Sequence, residues 1–329
     1  MPKPGPRNLI TDVAGLRVGH ATDEAAASGV TTLLCPTAWR AGVDVRGGGP
    51  GVRETEALQP ENLVGRADAI VLSGGSVFGL GAADGVCAAL SARGVGLSLK
   101  PGAPAIPIVP GAVLHDLGNG GDKAWGVEPP YRRLGMASLE AADEDFALGP
   151  VGAGRGAMAG LLKGGIGSAS IDLGHGLMVG ALAAVNGVGS TMTPGGEAFW
   201  AWPFEIDGEF GGMRPSGPID ASDPAPDEAR LAALGRLEAG ANTTLAVVAV
   251  SADLTTAECK RLAMMAQDGL SRAMRPAHTP FDGDVVFALA AGAAPLGEGN
   301  DRAVRIARLG SAAADCLARS IARGVWEAR

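Results

Sequence analysis

Short apolar runs and glycine-rich turns alternate along this chain with stretches of helical spacing. The pattern predicts a short strand and turn within Leu9–His20, strands at Thr31–Cys35 and Ala41–Val45, and a buried strand at Ala69–Leu72. That strand runs into Ser73-Gly-Gly-Ser-Val-Phe-Gly-Leu80, then a small-residue helix through Leu90. Ile106–Pro110 reads as extended, its prolines suiting an edge or a loop. Val179–Val188 reads as a core strand ending near Asn186, and Pro203–Ala241 as a long exposed loop leading to a short helix around Asp227–Glu238. An apolar, β-branched strand over 245–250 follows, with Thr243 at its mouth. A helix over Thr255–Met274 comes next, capped by Thr255 or Thr256 with Glu258 in its first turn. His278–Asp284 is a turn opening the strand Val285–Ala291, and Val304, Ile306, Leu309, Ala313, Leu317 and Ile321 mark a last helix, Asp301–Val325. No internal repeat is present, and the alternation points to strands packed against helices.

Composition narrows the class. The chain has 329 residues, 47% hydrophobic and 19% charged, enough apolar material for a sizeable core and too little charge for global disorder. Its 52 glycines against 4% aromatics imply tight turns and close backbone approach between layers. A net charge of -8, with no basic run, argues against a nucleic-acid partner. No stretch is apolar enough to span a bilayer, since Gly156–Val188 is broken by glycines, Lys163, Asp172 and His175, and the N-terminus lacks the apolar core of a signal peptide. Cys35, Cys87, Cys259 and Cys316 are widely spaced, as expected of buried free thiols in a reducing cytoplasm.

Candidate chemistry gathers around Asn242-Thr243. As a loop entering a strand the pair is ordinary. As a cleavage site it would yield a Thr hydroxyl beside its own α-amine, a nucleophile that needs no His as base. Asp282 and Asp284 stand two apart at a strand mouth, either as turn acids or as carboxylates that orient the Thr. Lys163, a single cation among small residues, either reaches solvent or faces the Thr243 amine and lowers its pKa from near ~8. Asn186 either caps a turn or donates to an oxyanion. Ser73–Leu80 lacks the GKS/T ending and GxGxxG frame of a phosphate loop, and Ser76 is not in a GxSxG elbow. His20, His115, His175 and His278 form no metal-binding pair and read as locally satisfied. No cofactor is expected.

Arg46-Gly-Gly-Gly-Pro-Gly, Ser73-Gly-Gly-Ser-Val-Phe-Gly-Leu, Gly152-Ala-Gly-Arg-Gly-Ala-Met, Val185-Asn-Gly-Val, Ala241-Asn-Thr-Thr-Leu and His278-Thr-Pro-Phe-Asp-Gly-Asp occur in this order. With these motifs nearly the whole chain resembles the DmpA-like N-terminal-nucleophile hydrolases, which include β-peptidyl aminopeptidases and the nylon-oligomer hydrolase NylC. The resemblance implies an α/β/β/α four-layer sandwich of the ornithine acetyltransferase type, made as one domain, 1–329. It further implies self-cleavage between Asn242 and Thr243 into chains 1–242 and 243–329, and assembly into a homo-oligomer, often a tetramer, of cleaved heterodimers. Carried over by position, Thr243 is the nucleophile, Asp282 and Asp284 orient it, Lys163 sits beside it and Asn186 stabilises the oxyanion. Thr243, Lys163 and the two aspartates follow the NylC-like branch, whereas the DmpA-like branch has Ser as nucleophile, and Ser and Glu in place of the aspartates. Aminopeptidase members also carry a Glu that holds the substrate amine. Ile106-Pro-Ile-Val-Pro-Gly-Ala-Val-Leu-His-Asp116 has none, which leaves Asp116 as the acid at hand. The expectation is a cytoplasmic hydrolase of short peptides or related amides, nylon oligomers among them, with acyl transfer to an amine, or ligand binding without catalysis, as the alternatives.

Overall fold

The computed structural model describes residues 3–224, 229–230 and 242–329. In chain order it holds β1 (Arg17–Asp23), β2 (Ser28–Val45), β3 (Gly51–Arg53), β4 (Arg66–Ser73), α1 (Gly81–Ala92), β5 (Gly111–Val113), α2 (Tyr131–Glu140), β6 (Met158–Ala159), β7 (Leu162–Lys163), β8 (Ile166–Asp172) and β9 (Met178–Asn186). The second half adds β10 (Thr243–Ala252), α3 (Thr256–Ala266), α4 (Asp268–Ala273), β11 (Val285–Ala294) and α5 (Gly299–Trp326). The helix expected around Asp227–Glu238 lies almost wholly outside the described residues.

Among the described residues, nine strands join in the order β3-β5-β4-β2-β11-β10-β9-β8, with β1 added against β2. Two expected strands, Thr31–Cys35 and Ala41–Val45, are the halves of the single strand β2. Its ladder with β4 shifts register between Leu34 and Trp39, where Pro36, which has no N–H to give, is accommodated in the bulge. The bend folds the sheet over on itself. Leu33, Ile70, Leu72, Ala112 and Leu114 on one half face Leu182, Leu245, Val247, Val285 and Phe287 on the other, all buried. Outside one half, Val30, Ala69 and Val71 pack on α1 and α2. Outside the other, Ala246, Val248 and Val250 pack on α3, α4 and α5. The layers therefore run helix, sheet, sheet, helix, the expected α/β/β/α sandwich.

β10 lies in the middle of the second half, antiparallel to β9 and parallel to β11. All ten of its residues are buried and its apolar side chains alternate between the two cores. The single helix expected over Thr255–Met274 is two, α3 and α4, parted at Gln267, whose side chain is buried and donates to Asp44 O at 2.9 Å. Thr255 caps α3 reciprocally with Glu258, as expected.

Candidate functional site

Register alone places Thr243. As the first residue of β10 it stands opposite Asn186, the last residue of β9, and Asn242 before it bridges to Asp282 on the other side. Thr243 is 2% exposed and Asn242 fully buried. The Thr243 hydroxyl donates to the Asn242 carbonyl oxygen, and the Gly283 N–H donates to that same oxygen at 2.9 Å. The bond preceding Thr243 thus has its carbonyl polarised by a backbone donor with the hydroxyl alongside.

Asp282 and Asp284 are both 1% exposed. Neither accepts from the Thr243 hydroxyl. Asp282 accepts from Val188 N–H at 3.1 Å, Thr279 N–H at 2.9 Å and Thr279 Oγ1 at 2.7 Å. Asp284 accepts from Thr244 N–H at 2.8 Å and from the His278 N–H and ring. Burial and then the Asp284 charge push the Asp282 carboxyl above the usual carboxylate range, against the pull of the Thr279 and Val188 donors. The Arg46-Gly-Gly-Gly run cradles this turn: Gly49 N–H donates to Asp282 O at 2.8 Å and Arg46 N–H to Asp284 O at 3.0 Å.

Asn186 is fully buried, and its amide is engaged on both sides. Oδ1 accepts from Met158 N–H at 2.9 Å and Nδ2 donates to His115 O at 3.1 Å. The donors on the Asn242 carbonyl are the Thr243 hydroxyl and the Gly283 N–H, not Asn186. Lys163 lies opposite Met158 in the β6–β7 hairpin, so it belongs to the structure that holds Asn186. Its Nζ donates to Arg155 O at 2.8 Å. Burial, and then Arg155, lower its pKa, while Asp116 and Glu24 pull the other way.

Asp116 is 0% exposed. Its two oxygens accept from Ser28 Oγ at 2.7 Å and Gly75 N–H at 2.8 Å, so this acid is committed to the interior. Ser76 begins a short 3-10 turn beyond Gly75, whose φ of 82° lets it lie against the Tyr131 ring, where a side chain would not fit. Cys35, Cys259 and Cys316 are buried free thiols, and Cys87 is half-buried.

Three contributions escape the residue-type argument. Gly283 was visible only as the spacer of Asp-Gly-Asp. Arg230, inside the Pro203–Ala241 stretch, donates to Met158 O, Asn186 O and Gly187 O at 3.1, 3.4 and 3.2 Å, and burial pushes it down to about 10. His278 is not simply satisfied: its Nε2 is buried with no partner among the described residues. Also among them, no group of three or more His, Cys, Asp or Glu could hold a metal ion, and no helix is long and apolar enough to cross a membrane.

Residues 8–329 match peptidase family S58. An uncharacterized aminopeptidase of Mycobacterium tuberculosis is 43% identical over 341 residues, spanning 98% of this chain and 94% of the relative. A 6-aminohexanoate-oligomer endohydrolase of Kocuria sp. is 28% identical, spanning 87% of this chain and 75% of the relative. Among solved structures, a Burkholderia sp. beta-aminopeptidase superposes with a TM-score of 0.70 at 25% identity, spanning 98% and 88% of the two chains. The L-aminopeptidase D-Ala-esterase/amidase of Ochrobactrum anthropi, described as a variant of the Ntn hydrolase fold, gives 0.70 at 20% identity over 100% and 88%.

Proposed function

Because the chain belongs to peptidase family S58, whose members hydrolyse amide bonds, we propose that it activates itself by cutting the Asn242–Thr243 bond and then works through the freed Thr243. The observation that carries this reading is the pair of donors on the Asn242 carbonyl, the Thr243 hydroxyl from one side and the Gly283 N–H from the other. In the precursor the Thr243 oxygen attacks the Asn242 carbonyl carbon and the C–N bond breaks. The chain passes through an ester at Thr243, and water releases Asn242 as a carboxylate and Thr243 as a free amine. No α-amine exists before that step. Lys163, whose lowered pKa eases loss of a proton, or an aspartate of the turn assists it.

In the cleaved enzyme the α-amine takes the Thr243 hydroxyl proton as the oxygen attacks a substrate amide. Asn186 and backbone N–H groups hold the oxyanion, and water frees the second product. Short peptides and linear amides are the substrate class, supported by the aminopeptidase and oligomer-hydrolase relatives. Asp116 is fully buried, with Ser28 and Gly75 each donating to one of its oxygens, so that acid is not offered to a substrate amine, which favours linear amides over strict aminopeptidase recognition. The cleaved heterodimers assemble into a cytoplasmic homo-oligomer, a tetramer by family resemblance, which light scattering tests.

Intact mass and a denaturing gel decide the central point. Wild-type protein should resolve into fragments 1–242 and 243–329, and Thr243→Ala should stay whole and inactive. Fragmentation of the Ala variant would refute the nucleophile.

A further inference from the structure

The turn carrying Asp282 and Asp284 is wrapped around its two carboxylates in matching fashion. Asp282 takes a hydroxyl and an N–H from Thr279, plus an N–H from Val188 beyond β9. Asp284 takes a ring nitrogen and an N–H from His278, plus the N–H of Thr244. His278 therefore braces the acid that reaches the nucleophile's own strand. Its Nδ1 lies 2.9 Å from Asp284 Oδ2 and its N–H 3.1 Å from the same oxygen, while Oδ1 accepts from Thr244 N–H at 2.8 Å. An ionised carboxylate oxygen can only accept, so opposite the Asp284 carboxylate the ring nitrogen is the donor.

Two further observations set His278 apart from a space-filling side chain. It sits in the left-handed region with φ 58°, a conformation a ring-bearing residue holds when its surroundings over-determine it. Its Nε2 is buried and unpartnered among the described residues, a cost an apolar side chain of similar size would avoid.

We propose that His278 is a positioning residue for the chemistry of Thr243, an inference that rests on the self-cleavage reading above. The ring fixes Asp284, and Asp284 fixes the peptide between Thr243 and Thr244. Gly283, held between the two braced aspartates, keeps its N–H on the Asn242 carbonyl. With Asp284 unbraced, that peptide can rotate and carry the hydroxyl off line; misplacement of about 1 Å costs a reaction roughly a hundredfold.

The test compares precursors of wild type, His278→Asn and His278→Gly. Asparagine and glycine both suit the positive φ, but only asparagine places an amide N–H where Nδ1 stood. Conversion to fragments is followed by intact mass, and thermal midpoints are taken in the Thr243→Ala background. The expected result is an asparagine variant within about threefold of wild type and a glycine variant slower by about tenfold or more, the effect of losing a hydrogen bond to a charged group. On an aminoacyl p-nitroanilide the cleaved glycine variant should lose kcat with little change in KM. Glycine at the wild-type rate overturns the proposal, as does asparagine no faster than glycine. If the glycine variant melts early, His278→Asp replaces it, with the same shape as asparagine but an acceptor where the donor stood. Aspartate matching asparagine overturns the proposal equally. A wild-type chain that never cleaves overturns the reading of Thr243 and this proposal together, whereas the variant outcomes bear on His278 alone.

Discussion

The position a side-chain carbon would take at Gly283 lies 2.6 Å from Thr243 Oγ1, with Gly49 O at 2.8 Å behind it. The glycine is thus the only residue type that can present its N–H to the Asn242 carbonyl while leaving room for the neighbouring hydroxyl. Gly283→Ala should slow the proposed self-cleavage by at least about tenfold, because the hydroxyl must turn away from the carbonyl it is proposed to attack. It should also lower stability by about 1–3 kcal/mol through overpacking against backbone. Quantifying fragments over time, alongside urea unfolding of the uncleavable Thr243→Ala form with and without the substitution, checks both. An alanine variant that cleaves as fast as wild type would show that the space is not needed.

Lys163 reports on a different edge of the site. Its ammonium is half-buried beside Arg155 and donates to the Arg155 carbonyl, so among the described residues no ion pair is broken by removing it. Lys163→Met keeps the stem and should leave the thermal midpoint nearly unchanged. Self-cleavage should fall by roughly a hundredfold if the amine moves a proton in that step. Wild-type cleavage in the methionine variant would leave the proton to the aspartates.

How much of this was legible in the sequence differs from residue to residue. Thr243 at a strand mouth was readable because the run after it is apolar on both faces, which only a central strand requires. The partners of Asp282 and Asp284 were not, because Val188 and Thr244 lie 94 and 40 residues away and come to them through strand register. β8 was missed for a related reason. Ser168 and Ser170 give it a polar look, yet both are buried, donating to Ala181 O and Asp12 and accepting from the Ile10 and Gly5 N–H groups. Nor did the pattern mark α2, whose buried face comes down to Tyr131, Leu134 and Leu139 packed on α1, β1 and β2. The four-layer order came from motif resemblance, since period and composition say nothing of a sheet that folds back along β2.

A buried ion pair joins the segments on either side of residue 242. Arg319 in α5 is 0% exposed and meets Glu209 through Nε at 2.5 Å and Nη2 at 2.9 Å, and it also donates to Asn8 Oδ1 at 2.8 Å and Ser170 O at 2.8 Å. Arg319→Met removes the guanidinium bonded to Glu209, leaving Arg323 at 3.9 Å as the nearby cation and Asn8 and Ile206 as donors, and should cost up to about 3–5 kcal/mol. Adding Glu209→Gln should restore part of that loss. Urea titrations of the single and double variants measure it, and additive losses in the double variant would mean the two side chains are not coupled.

Acid sensitivity should trace to His20. Its ring lies in β1 with Nδ1 at 2.9 Å from Thr31 Oγ1 and Nε2 at 3.1 Å from Ala147 O, edge-on to Phe146. Burial pushes the imidazole from 6.5 down to about 4, outweighing the opposing pull of the Ala147 carbonyl. On acidification the unfolded chain takes up this proton near 6.5, and the folded chain only near 4. Between those values the unfolded state binds more protons, so stability falls as pH falls, and the contribution is complete above 6.5. The full loss is on the order of 3 kcal/mol. Glu258, held down at about 2 chiefly by Arg302, adds its own loss between 4.5 and about 2, a lower window that does not mask the first. Denaturant unfolding of Thr243→Ala, with and without His20→Gln, measured across 6.5 to 4, separates the two. The glutamine variant should lose less over that range, and equal losses in both would assign the acid sensitivity to other groups.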